Sequence, residues 1–280
     1  MFSPMKRRLR LTLYGLMGFV LTVTMMAVYQ GYKNSATAQS WRTASREPVG
    51  LAPDPALTPE AVLQVYAARA WGWRGNFGVH TWIAAKPSGA EAYTVYEVIG
   101  WRLRWGNTAL AIHGRAPDAR WFGNAPELLS DLRGAGVDAI IRRVDRAARD
   151  YPYHDRYTVW PGPNSNTFTA FVARAVPELN LDLPPTAIGK DYLGGKLFAK
   201  APSGSGFQFS LFGLLGFTAA LEEGLEVNIL GLTFGIDPKD PALKLPFVGR
   251  VGADRRSRQS ITAQSEVARG TGSGTGTGAD

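Results

Sequence analysis

Apolar and polar positions change their spacing several times along this chain, and one block has no spacing at all. Residues 11–29, LTLYGLMGFVLTVTMMAVY, run for 19 positions without a charge. That is close to the ~20 residues a helix needs to cross ~30 Å of hydrocarbon. Lys6, Arg7, Arg8 and Arg10 precede it, a cationic flank (residues 1–10) of the kind held in the cytoplasm while the remainder is exported. The block predicts a single-pass inner-membrane anchor with its C-terminal domain on the periplasmic side. The alternative is a signal segment cut after the small-x-small run Ala36-Thr37-Ala38, which releases a secreted domain.

Beyond it the pattern becomes that of one domain. Residues 30–57 hold Ser, Thr, Pro and Asn with few large apolar side chains, a linker composition. Residues 58–251 read as a globular α+β domain. Thr58-Pro59-Glu60 offers an N-cap, a first-turn proline and an acid beside the helix dipole. Val62, Val65, Tyr66 and Arg69 then predict a helix to about Ala70. The period shortens to two at about Phe77–Ala85 and again at Ala92–Trp101, with the turn-rich KPSGAE between them, which predicts a β-hairpin. Over 126–149, Leu129, Leu132, Ile140, Ile141 and Val144 predict a helix divided at Gly134-Ala135-Gly136. A short helix follows from about Asn166 to Ala175, ended by Pro177. Residues 201–221 are uncharged but glycine-rich, which predicts a buried element rather than a second span. Leu225–Ile236 reads as a strand. Residues 252–280 end in TGSGTGTGAD, the composition of a disordered tail.

Composition narrows the chemistry. With no cysteine among 280 residues, disulfides, thiolate zinc sites and cysteine nucleophiles are excluded. The net charge of +8 is dispersed between the first residues, the domain and the tail, so no nucleic-acid stripe is expected. Three histidines without HxH, HxxxH or HExxH spacing predict no metal site. No cofactor-binding loop is present, so no cofactor is expected. Five of the eight tryptophans fall between Trp71 and Trp105, as a packed core and surface ring or as a ligand platform.

Two stretches carry candidate chemistry. His80 lies in GVHTWIA on the first predicted strand, with Trp82 beside it. WPGPNSNTF, Trp160 to Phe168, is a turn that opens a helix at Ser165. A hydroxyl at a helix start lies among unpaired N–H groups that stabilise an oxyanion, and a strand histidine can serve as its base. Ser165 is thus a nucleophile candidate with His80 as base and Glu97 as orienting group. Asn164, Asn166, Trp82 and Trp160 are candidate substrate contacts. The other reading makes Ser165 or Asn164 an N-cap and His80 a packed strand residue. His113 lines a pocket with Arg115, Asp118 and Arg120 or sits in a surface loop, and His154-Asp155 lies in a turn.

A strand with His80, then a hairpin, a helical insert and N-S-N-x-F opening a helix resembles the circularly permuted papain-like hydrolases. These include NlpC-type, lecithin:retinol acyltransferase-like and PPPDE peptidases. The resemblance implies an α+β papain-like core, an antiparallel sheet with packed helices behind one transmembrane helix, and acyl-transfer chemistry on an envelope amide or ester. Serine stands at 165 where those families carry cysteine, and a serine needs direct contact with its base. YPYHDRYTVWPGPNSNTF, LPPTAIGKDYL and EEGLEVNILGLTFGID also resemble an uncharacterised family of bacterial membrane-associated proteins, over about residues 60–252. The expected functions are a Ser/His hydrolase, a non-catalytic relative binding a peptide, glycan or lipid, or a structural membrane protein. The oligomeric state is open.

Overall fold

The computed structural model describes residues 4–35 and 40–252. The cleavage candidate Ala36–Ala38 and the expected tail lie outside the described residues. The N-terminal helix α1 covers Pro4–Ser35. Its segment Arg10–Tyr29 has a mean hydropathy of 1.9 and is long and apolar enough to cross a membrane.

The first sheet is antiparallel and five-stranded. Its strands are β1 (Val62–Arg69), β2 (Val79–Lys86), β3 (Thr94–Val98), β4 (Leu110–Gly114) and β5 (Glu127–Arg133), in the order β4-β3-β2-β1-β5. Here β1 corrects the helix expected up to Ala70. VLQVYAAR is buried on both faces and paired with a strand on each side. A centrally placed strand loses its period-two signal because both of its faces are interior, and an apolar run of this kind also fits helical spacing. The expected helix over 126–149 is likewise a strand and a helix. β5 ends at Arg133, Gly134 and Gly136 each adopt φ +84°, and α2 runs from Val137 to Arg149. The predicted hairpin is present as β2–β3, but its second strand stops at Val98, where a 3-10 turn spans Gly100–Trp105.

One face of this sheet holds the main core. Leu63, Val65, Ile83 and Ala85 pack against Ile141 and Val144 of α2 and against Phe168 and Val172 of α3, which spans Ser165–Ala175. The other face carries Tyr66, Trp82 and Val95. Two segments cover it. Asp118 accepts hydrogen bonds from the Leu51 and Ala52 amides, and Pro48 bridges to Ala119. The expected linker therefore contributes residues 44–53 to the fold, with Ala44 buried.

The second sheet is a seven-stranded antiparallel meander in sequential order: β6 (Phe198–Lys200), β7 (Gly206–Leu211), β8 (Leu215–Ala220), β9 (Gly224–Ile229), β10 (Leu232–Asp237), β11 (Ala242–Leu245) and β12 (Gly249–Gly252). The buried element expected over 201–221 is the β7–β8 hairpin. The strand expected over 225–236 is two strands turned at Leu230-Gly231. The inward side chains of this sheet are polar: Gln208, Thr218, Glu226, Asn228, Thr233 and Lys244 are all buried. They close on Lys190 and Asp191 from the segment after α3. Lys190 Nζ lies 2.9 Å from Asp191 and 2.6 Å from Glu226, while Lys244 Nζ lies 2.7 Å from both Asp182 and Glu226. Burial opposes a charged Lys190, yet Asp191 and Glu226 hold its ammonium well above the usual range, and Asp191 is held low in return.

Candidate functional site

Side chains alternate between the faces of a strand, and that rule decides which sequence candidates meet. On β2, Thr81 points to the face covered by α3. Its hydroxyl reaches the Ser165 carbonyl at 3.3 Å, Asn166 Oδ1 at 3.0 Å and Thr169 Oγ1 at 2.9 Å. His80 therefore points to the opposite face, among Trp82 and Trp121. The structure does not bring Ser165 and His80 together, and the β2 residue that faces the start of α3 is a threonine.

Asn164 and Asn166 likewise face inward rather than toward a substrate. Asn164 is the N-cap of α3: its Oδ1 accepts from the Asn166 and Thr167 amides, and Thr167 Oγ1 accepts from the Asn164 amide. Its Nδ2 donates to the carbonyls of Val159 and Ile188. Asn166 Nδ2 donates to Val79 and Ile188 carbonyls, each within 3.0 Å. The polar atoms of both amides are consumed in pinning the 186–189 loop to β2 and α3. Gly189, at φ +96°, makes that approach possible, because a side chain there would collide with Asn164. Ser165 is the first residue inside this capping box and is buried. Trp160 is half exposed, and its indole N–H donates to the Leu230 carbonyl at 2.9 Å, tying the 160–163 turn to the β9–β10 hairpin.

What the fold does assemble is a cluster around Glu97. His80 Nε2 lies 2.9 Å from Oε2, His113 Nε2 2.8 Å from Oε1, and Arg115 Nε donates to Oε1 at 3.1 Å. These groups come from β2, β3, β4 and the residue after β4. Burial alone would raise the Glu97 carboxyl, but hydrogen bonds from His113 and His80 and the charge of Arg115 hold it well below the usual carboxylate range. Burial pushes His80 below the usual imidazole range, against the pull of Glu97. An ionised carboxylate facing a neutral His80 requires Nε2–H to be the donor. The expected pairing of His80 with Glu97 is thus present, without the serine.

Rings continue outward from this cluster. His80 stacks on Trp121 with centroids 3.7 Å apart and planes at 13°, and Trp121 stacks on Trp101 at 5.7 Å and 30°. Phe122 meets Trp101 and Trp121 edge-on. Trp82 is wholly buried, donates from Nε1 to the Pro117 carbonyl at 2.7 Å, and carries the Arg115 guanidinium 4.8 Å above its ring. The stack passes from buried His80 through Trp121 to Trp101, which is 46% exposed. His113, its side chain 41% exposed, opens to solvent from the same carboxylate.

His113, Arg115, Trp101 and Trp121 make up this cluster; the sequence offers His113 and Arg115 as pocket-lining or surface-loop residues and Trp101 only as one of a tryptophan-rich stretch, and it assigns Trp121 no role. Their spacing was the available signal: His113 and Arg115 two apart at the end of an alternating run place both on the face of Glu97. Trp121 carries none, because it reaches the cluster from a loop held by tertiary bonds.

No curated protein and no solved structure matches the chain. A family model matches residues 60–192, a little under half of the chain. That stretch runs from β1 past α3 and includes the whole Glu97 cluster. It stops before β6, short of the residue 252 expected from the sequence resemblance. Over these residues the chain resembles an uncharacterised family whose description reads "Protein of unknown function (DUF3750)".

Proposed function

We propose that this chain is a membrane-anchored, non-catalytic relative of the permuted papain-like proteins that binds a glycan of the cell envelope at the Glu97 cluster. The anchor reading rests on the apolar stretch of α1 and its cationic start. The papain-like reading is supported by a His-bearing strand before a helix opened by Asn164-Ser165-Asn166. The loss of catalysis is supported by the placement of His80 and Ser165 on opposite sides of the sheet.

One observation carries the binding reading: the His80–Trp121–Trp101 stack ends on Trp101, which is exposed to solvent. A pyranose ring has an apolar face that continues such a stack, and its hydroxyls reach His113 at the rim. The Glu97 carboxylate, already taking three donors, fixes the His113 ring rather than meeting the ligand.

Isothermal titration of the detergent-solubilised full chain with the N-acetylglucosamine–N-acetylmuramic acid disaccharide tests this. Trp101→Ala should weaken binding about tenfold or more, equivalent to ~1.4 kcal/mol, and His113→Ala by a smaller factor. Ser165→Ala should bind as wild type. Absence of heat with the folded wild-type chain overturns the glycan reading. Labelling of wild type by a fluorophosphonate probe, lost in Ser165→Ala, restores the hydrolase.

A further inference from the structure

The second sheet has its polarity reversed. In β7 to β11 the side chains that alternate with the buried polar set are apolar and point away from the domain: Phe207, Phe217, Leu225, Val227, Ile236 and Leu243 are all exposed. At the ~4.8 Å strand spacing the sheet is roughly 29 Å wide. An apolar face of this extent on a soluble domain marks a surface made for something other than water. An open groove of about 360 Å³ runs in it, lined by Leu225, Val227, Phe234 and Ile236 among others.

The turns repeat the anomaly. Hairpin tips that need positive φ ordinarily carry Gly, Asn or Asp. Here Phe212 at φ +52° and Leu230 at φ +54° occupy such positions, and they are 55% and 61% exposed. Two large apolar side chains are thus presented at the end of the sheet in a conformation that disfavours them.

We propose that this face is seated on the acyl layer of the bilayer that α1 enters. The proposal rests on α1 being a membrane span. Three observations select lipid as the occupant. The Phe19 ring, within the apolar stretch of α1, lies 5.4 Å from the Phe234 ring on this face, so the apolar stretch of the span touches the apolar face of the sheet. Exposed Tyr29, Tyr32 and Trp73 gather where α1 leaves its apolar stretch, with Gly31 against Asn76; such residues populate the membrane–water boundary. The alternation of apolar-out and polar-in across consecutive antiparallel strands is the pattern of a sheet with lipid on one side. The edge strands β6 and β12 have three and four residues, so little unpaired backbone accompanies the face into lipid.

The chain has no cysteine, so single reporters can be placed at will. The full chain carrying Phe217→Cys, Leu243→Cys, Leu21→Cys or Glu91→Cys, each labelled with an environment-sensitive fluorophore, is reconstituted in phosphatidylethanolamine–phosphatidylglycerol vesicles. Quenching by acyl-chain nitroxide lipid is compared with quenching by aqueous iodide, and circular dichroism checks each fold. The expected result is that labels at 217 and 243 lose most of their emission to the nitroxide lipid and little to iodide. The label at 21 should behave alike and the label at 91 oppositely. Quenching of 217 and 243 by iodide, with 21 in lipid, overturns the proposal and leaves the span standing. Protection of 217 and 243 from both quenchers also overturns it: dependence on protein density then identifies a second copy as the cover, and independence identifies α1. A label at 21 open to iodide removes the span itself.

Discussion

The five-stranded sheet turns hydrocarbon inward and is covered on both faces, whereas the seven-stranded sheet turns charge inward and hydrocarbon outward. In the first, Leu63, Val65, Ile83 and Phe168 make a close-packed core, and hydrogen-bonded polar groups gather in clusters such as Asn164–Thr167 and Glu97. In the second, Lys190, Asp191, Glu226 and Lys244 stand where a core would be. The two sheets are therefore held by different physics. Apolar packing is tolerant of small shifts and insensitive to pH. A buried ion network is strong only while every member is present, since removing one leaves its partners uncompensated.

The sharpest break in this comparison is Lys190→Met. Asp191 and Glu226 lose a shared counter-ion, and destabilisation of about 3–5 kcal/mol is expected. Urea unfolding followed at the tryptophans reports it; a change below ~1 kcal/mol would mean that the network is not what holds the second sheet. Smaller, but specific to the first sheet, is Asn166→Ala. It removes a donor from the Val79 carbonyl, one of the two side-chain donors to the Ile188 carbonyl and one of the three partners of the Thr81 hydroxyl, and about 1–3 kcal/mol of stability should be lost in the same assay.

The third test uses protons. His80 is held below its ordinary value in the folded chain, so the unfolded chain binds the proton more readily. Its contribution is complete above the unfolded value of about 6.5 and is lost as pH falls from there toward the folded value. Stability measured between pH 7.5 and 5 should therefore decline, by at most ~1.4 kcal/mol per pH unit from this group, and His80→Asn should flatten the slope. An unchanged slope in that variant would assign the pH dependence elsewhere. The smallest effect is expected on the outer face. Phe217→Ser in detergent should alter folding stability by only about 0.5 kcal/mol in either direction, because that side chain stands on the outer face and is 47% exposed; a loss several times larger would show that this face is internal.

Legibility in the sequence followed the same division. The α1 block, the β2–β3 hairpin, α3 and the break before α2 were readable, since each shows its own period or punctuation. β1 was not, because a central strand covered on both faces has no polar side to reveal its period. The second sheet was half readable. Its alternation exists, as in LEVNI, but glycine-rich turns and the absence of charge over 201–221 blurred where one strand ended and the next began. Of the site, the partnership of His80 with Glu97 was accessible from a hairpin whose neighbouring strands bring same-face residues together. The separation of His80 from Ser165 was not. It depends on which face of β2 receives α3, and a change of one residue in phase would have put His80, rather than Thr81, against that helix.

The matched region ends at residue 192, immediately after Lys190 and Asp191, and these two residues are one of the places where the seven-stranded sheet attaches. They act as a socket: one cation and one anion, side by side, to which Glu226, Asn228 and Gln208 supply the complementary plug. A chain that stopped at the socket would leave both charges to water, at little cost. The junction thus joins the seven-stranded sheet to the matched region by charge complementarity, alongside the Trp160–Leu230 bond and the Phe77–Phe247 ring contact.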